Sequence, residues 1–171
     1  GIIYGMGSQS LAAAAGLSFG EARNYISQYF ALHTGIASYM EDMKVKILND
    51  GFVETLFGRK RFFKNVKFMN PRERAEAERQ AINMPIQGTQ ADMIKLAMVR
   101  IDRYIAEKYG RGKDAAVKML IQVHDELVFE VRKEMVDEFA AAVVPIMTGV
   151  RELAVPIAVN VSTGVRWGDM K

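Results

Sequence analysis

The chain has 171 residues, half of them apolar, with 23 Lys and Arg against 20 Asp and Glu and a formal net charge of +3. This length and apolar fraction suit one globular domain with a sizeable core. The absence of cysteine excludes disulfides, thiolate nucleophiles and Cys-ligated zinc, and no apolar run approaches the roughly 18 residues that a bilayer span requires, so a soluble, cytoplasmic protein with no membrane partner is expected. The mild positive balance permits a polyanionic partner without demanding one.

In chain order, "SQSLAAAAG" reads as an alanine-rich helix. "LSFGEARNYISQYFALH" reads as a second one, with Ser18 as N-cap and Glu21 at capping-box spacing. In that second helix Ala22, Tyr25, Ile26, Tyr29 and Phe30 recur at helical intervals and predict one buried face. A third helix over about residues 35 to 49 carries Ile36, Tyr39, Met40, Met43 and Ile47 and ends at "NDG". "FVETLFGRKRFF" then changes to short β-prone pieces around Gly58. A long helical pattern follows with Asn70 as N-cap, and Pro85 is expected to bend or break it because proline lacks an N–H and crowds the preceding turn.

After "GRGKD" the runs "AVKMLIQV" and "ELVFEV" predict two strands joined at His124 and Asp125 in a tight hairpin. A helix over about residues 133 to 149 and a last strand, "PIAVNVST", complete the pattern. The expected class is α+β, with helices first and then a small antiparallel sheet covered by helices on one face. Gly1 to Gly5 are largely apolar and carry no cap or leader, as though cut from a longer element, which predicts that the sequence is a fragment.

Three constellations carry chemistry. At the hairpin tip, His124, Asp125 and Glu126 sit between apolar runs. Strand neighbours face opposite ways, so Asp125 and Glu126 do not clamp one ion as a pair from a regular strand. A carboxylate at a tight turn suits Mg²⁺, which takes oxygen ligands. A two-metal phosphoryl-transfer site needs carboxylates converging from different elements, which makes Asp125 half of one at most. An exposed polar turn explains the same residues, and spacing by itself favours that reading.

Arg79, Asn83 and Gln87 are spaced by four residues twice and make one slowly drifting stripe of hydrogen-bonding side chains on a helix. Such donors suit the minor groove of a duplex, where acceptors occupy similar places in every base pair. A solvated face with Arg79 paired to Glu76 is the alternative. Finally, "GRKRFFKNVKF" interleaves Arg59, Lys60, Arg61, Lys64 and Lys67 with Phe62, Phe63 and Phe68, a pattern that fits a phosphate backbone or, equally, a hairpin with phenylalanines inward and cations in water. No dinucleotide loop, phosphate loop or serine-hydrolase elbow is present, two histidines are too few for a His-rich metal site, and the eleven methionines lie mostly at helical apolar positions that suit a core.

Taken in order, "GIIYG", "ETLFGRKR", "AERQAINMPIQGTQADMIKLAM" and "QVHDELVFEV" resemble family A DNA polymerases, the bacterial DNA polymerase I group, over essentially the whole chain. "GIIYGM" resembles the C-terminal half of the family's motif B, and "QVHDELVFE" resembles motif C. The resemblance implies fingers helices over residues 1–51 and a palm portion with the motif C hairpin over residues 52–171. It implies that Asp125 binds the two catalytic Mg²⁺ ions, that Glu126 supports it, and that His124 lies near the primer 3′ end. Arg79, Asn83 and Gln87 would contact the primer-template minor groove and the active-site base pair, Tyr4 would stack at the template position before a nucleotide enters, and Arg59 would lie near the nucleic-acid backbone.

The substrates implied are primer-template DNA and deoxynucleoside triphosphates, joined at the primer 3′-OH by two-metal phosphoryl transfer. Motif A and the rest of motif B are expected on an upstream polymerase segment, so the chain by itself is expected to be inactive. A non-catalytic primer-template-binding module is the alternative, and a nuclease using Asp125 and Glu126 is a third reading.

Overall fold

A computed structural model describes residues 1–170 and divides them into two compact units, the first spanning Gly1–Thr89 and the second beginning at Gln90. Both units contain buried apolar residues. The boundary falls within one long helix.

The first unit opens with a 3-10 turn at Ile2–Tyr4, then helices α1 (Ser8–Ala15), α2 (Phe19–Leu32) and α3 (Thr34–Asn49). The cap read from the sequence forms in full, because the Glu21 amide donates to Ser18 Oγ at 3.2 Å and the Ser18 amide donates back to Glu21 Oε2 at 2.9 Å. The Ser18 hydroxyl also donates to Glu21 Oε2, at 2.7 Å, and with the Ser18 amide it holds the Glu21 carboxyl below the usual carboxylate range. The predicted buried face of α2 is covered only in part. Ala22 is buried, Ile26, Tyr29 and Phe30 are half-buried, and Tyr25 is exposed. Helix α2 packs on α1 and, less extensively, on α3, and the alanine methyls of α1 are too small to cover aromatic rings.

Gly51, at a left-handed φ of 74°, turns the chain from α3 into β1 (Phe52–Glu54), which pairs antiparallel with β2 (Lys60–Phe62). Ile47 of α3, Val53 of β1, and then Phe63, Val66, Ala77, Ala81 and Met84 form the core of this unit. The Tyr39 hydroxyl ties α3 to the long helix by donating to the Ile82 carbonyl at 2.8 Å, and its burial pushes the phenol pKa up.

That long helix, α4, runs over Pro71–Tyr109 and begins as expected. The Glu73 amide donates to Asn70 Oδ1 at 2.9 Å, and the Asn70 amide donates to Glu73 Oε2 at 3.1 Å. It does not break at Pro85. An internal proline costs about 3 kcal/mol relative to alanine, and here Ala81, Ile82, Met84, Gly88 and Thr89 are all buried around it. Packing and side-chain hydrogen bonds therefore hold the backbone helical where propensity alone would stop it.

In the second unit, β3 (Val117–Val123) and β4 (Glu126–Val131) form an antiparallel hairpin with a bulge between Met119 and Ile121. A 3-10 turn at Lys133–Met135 leads into α5 (Val136–Thr148). A two-stranded hairpin is marginal in water by itself, and this one is backed by α5, where Phe129 and Phe139 meet edge to face at 5.0 Å. Tyr109, at the end of α4, reaches the same Phe139 ring at 6.2 Å. Arg100 of α4 donates to the carbonyls of Gly149 and Val150 beyond α5.

The architecture is α+β, with two separate two-stranded sheets among the described residues. The last strand expected from "PIAVNVST" does not form. Its residue types favour extended chain, but a strand also needs hydrogen bonds to a neighbour, and residues 156–163 pair with no strand among the described residues. Val155, Val161 and Val165 are left exposed. No described helix is long and apolar enough to cross a membrane.

Phe139 is buried against rings from both β4 and α4, so Phe139→Ala should cost about 3–5 kcal/mol. Urea denaturation should show that loss, and amide exchange should show Val117–Val131 losing protection before the first unit does.

Candidate nucleic-acid interface and metal-binding hairpin

In the first unit, the side chains predicted to form a stripe do lie along one part of α4. Each step of four residues rises about 6 Å and drifts about 40° around the helix. Arg79 and Gln87 are exposed, and Asn83 is half-buried. Asn83 Oδ1 is buried with no hydrogen-bond partner among the described residues, an acceptor that a ligand's donor or an ordered water would satisfy.

Arg79 is paired with Glu76, as the solvated-face alternative expected. The pair belongs to a longer run, because Gln80 Nε2 also donates to Glu76 at 3.0 Å, and Arg61 of β2 donates to Gln80 Oε1 at 2.6 Å. The Arg79 guanidinium, followed by Gln80, holds the Glu76 carboxyl below its ordinary range. The Arg79 stem also lies against Gly5. A Cβ at Gly5 would come 2.9 Å from Arg79 Cγ, and Gly5 has φ +84°, so glycine suits that position on both counts. The preceding residue is Tyr4, 48% exposed, so the structure brings Tyr4 and Arg79 into one neighbourhood.

Arg59 is exposed. Its guanidinium donates to the Gly88 carbonyl of α4 at 3.0 Å. Its neighbours divide between the two readings of the basic segment. Phe63 is buried, whereas Phe62 is 68% and Phe68 is 88% exposed, and the Lys60 ammonium lies 4.2 Å from the Phe52 ring centroid.

In the second unit, His124 and Asp125 are the two loop residues between the paired Val123 and Glu126. His124 takes φ +52°, a left-handed value uncommon for a residue with a Cβ. Gln122 Nε2 donates to the His124 carbonyl at 2.5 Å and steadies the turn. His124, Asp125 and Glu126 are all exposed. Asp125 and Glu126 supply oxygen donors of the type Mg²⁺ takes, yet no group of three or more His, Cys, Asp or Glu suited to a metal occurs among the described residues. The donor chemistry suits a hard cation.

The comparisons with known proteins bear on both surfaces. The family model described as DNA polymerase family A matches residues 1–169. The chain belongs to DNA polymerase family A. It is 43% identical over 169 residues to DNA polymerase I of Pseudomonas aeruginosa, covering 99% of this chain and 18% of that protein. It is 38% identical over 171 residues to the thermostable DNA polymerase I of Thermus aquaticus, covering 100% of this chain and 20% of that protein. This family A chain thus spans about a fifth of the length of these curated relatives. Among solved structures, the POL domain of Pol1 from M. smegmatis, in complex with DNA primer-template and dNTP, matches with a TM-score of 0.89 at 35% identity, over 99% of this chain and 29% of that one.

Sequence reasoning missed the buried polar contacts behind the stripe. Thr55 and Thr89 are only 4% and 7% exposed, and they join the β1–β2 loop to α4. The available signal was Gly88 directly before Thr89 within a helical pattern, since a helical glycine marks a close approach by another element.

The Glu76 carboxyl owes its lowered pKa first to Arg79, so the pair is intact above the ordinary value of 4.5 and is lost only as pH falls through a lower folded value. An NMR titration of Glu76 should give a pKa below 4.5 in the wild type, moving up toward 4.5 in Arg79→Ala.

Proposed function

We propose that this chain forms the part of a DNA-directed DNA polymerase that reads the primer-template duplex and presents one metal-binding carboxylate. The complete enzyme adds deoxynucleotides to a primer 3′-OH from deoxynucleoside triphosphates. Residues 1–51 act as fingers and residues 52–171 as palm. The observation that carries the reading is an exposed Asp125 carboxylate held at a two-residue hairpin tip in a chain that matches the family over residues 1–169.

Each residue has a task that its surroundings permit. Asp125 presents anionic oxygens beyond the apolar strands that fix the turn, with Glu126 adding negative charge beside it. When bound, Mg²⁺ would supply charge neutralisation at the phosphates and acidify the attacking hydroxyl. Asp125 would hold it together with a carboxylate from an upstream segment carrying motif A. His124 places an imidazole next to that carboxylate, where it can bond the primer terminus. Arg79, Asn83 and Gln87 offer hydrogen-bonding groups to the minor groove, where a row of donors tests base-pair geometry without reading sequence. Tyr4 offers an aromatic face on which a template base can stack.

A module that holds primer-template without chemistry would share the stripe and leave Asp125 without a task. The two readings separate on mixing this chain with an upstream segment that carries motif A and all of motif B. Primer extension should appear in the mixture, not with either piece by itself, and Asp125→Ala should lower it roughly a thousandfold, the scale of a lost metal clamp. Undiminished extension by the Asp125→Ala mixture would overturn the metal-ligand role.

A further inference from the structure

Asn83 and Gln87 lie on either side of Pro85, and the spacing between them depends on a backbone turn that has lost one internal hydrogen bond. What holds that turn comes from the loop between β1 and β2. Thr89 Oγ1 donates to the Pro85 carbonyl at 2.5 Å and accepts from the Leu56 amide at 3.0 Å, so one hydroxyl bridges the proline turn and the loop. Thr55 Oγ1 accepts from the amides of Phe57 and Arg59, both at 3.2 Å, and folds the loop on itself. The Arg59 guanidinium reaches across to the carbonyl of Gly88, the residue that follows Gln87.

The fit leaves no room for another atom. A Cβ on Gly88 would sit 2.7 Å from Thr55 Cγ2 and 3.2 Å from Arg59 Nη2. A loop pressed this closely to a helix, through two buried threonines and a charged donor, fixes the helix locally far more than a solvated loop would.

We infer that Arg59, with Thr55 and Thr89, is a positioning residue for the DNA-reading stripe, holding the proline turn so that Asn83 and Gln87 stay in register with successive base pairs. It does so through Gly88 and not by contact with the nucleic-acid backbone. This rests on the reading of the stripe proposed above and reassigns Arg59 within it. A misplacement of about 1 Å can cost about a hundredfold where reactivity depends on geometry, and Gln87 directly precedes the residue whose carbonyl is pinned.

The test uses the full 171-residue chain and measures its equilibrium binding to primer-templates ending in a matched or a mismatched pair, over a range of salt concentrations. Arg59→Ala should lower the matched-to-mismatched preference by roughly fivefold to a hundredfold and leave the slope of log K against log salt unchanged. Thr89→Val, which removes the bridging hydroxyl at nearly constant volume, should do the same, and Thr89→Ser should restore the preference. In a Gln87→Ala background, Arg59→Ala should add little.

A slope that falls by about 0.9 in Arg59→Ala with the preference intact would mean a direct phosphate contact and would overturn the inference. Preference lost in Gln87→Ala but kept in both Arg59→Ala and Thr89→Val would overturn the inference while leaving the stripe standing. An unaltered preference in Gln87→Ala itself would overturn the stripe reading together with the inference.

Discussion

A proline near the middle of a 39-residue helix removes one backbone donor and crowds the turn before it, and what the first unit presents on α4 depends on how that defect is held. The buried contacts around Pro85 divide the work. Ala81, Ile82 and Met84 pack the inner side of the helix, and the Leu56 amide, Thr89 hydroxyl and Arg59 guanidinium secure the next turn. Asn83 and Gln87 can then stay exposed or half-exposed on a helix that stays continuous. The requirement extends to Gly88, where a larger residue would push the loop away, and to Thr55, whose hydroxyl organises the loop before it reaches the helix.

The two surfaces proposed to meet nucleic acid and metal are built by opposite means. The stripe on α4 rests on a dense buried arrangement, with Arg79 further steadied by Glu76, Gln80 and Arg61 in succession. The hairpin tip is spare: two loop residues, a left-handed His124, and one side-chain bond from Gln122. Its rigidity comes from below, through Phe129 meeting Phe139 edge to face. A minor-groove reader needs several donors in fixed register, whereas a metal-binding tip needs one carboxylate in the right place with room for phosphates around the ion.

Local signals in the sequence were legible where one residue decides the outcome. The caps at Ser18 and Asn70, the left-handed Gly51, and the two-residue turn between β3 and β4 all formed where residue chemistry placed them. The failures share a cause, because each needed a partner that lies far off in sequence. Of the two outcomes expected at Pro85, a bend or a break, the break does not occur, and contacts from a loop about thirty residues earlier meet the helix there. "PIAVNVST" has strand-like composition and no neighbour to pair with. The aromatic face of α2 is half-covered where α1 offers mainly alanine. The stripe itself was visible as a spacing, but of its support only Gly88 left a signal, since nothing in local periodicity marks the two threonines Thr55 and Thr89.

The Leu56 amide reports directly on whether the β1–β2 loop holds the proline turn, because it donates from the loop to Thr89 Oγ1 on the helix. Native-state hydrogen exchange of that amide should show it protected together with the α4 amides that follow Pro85, and the protection should vanish in Thr89→Val. Exchange of Leu56 at the rate of an open loop in the wild-type chain would contradict the account.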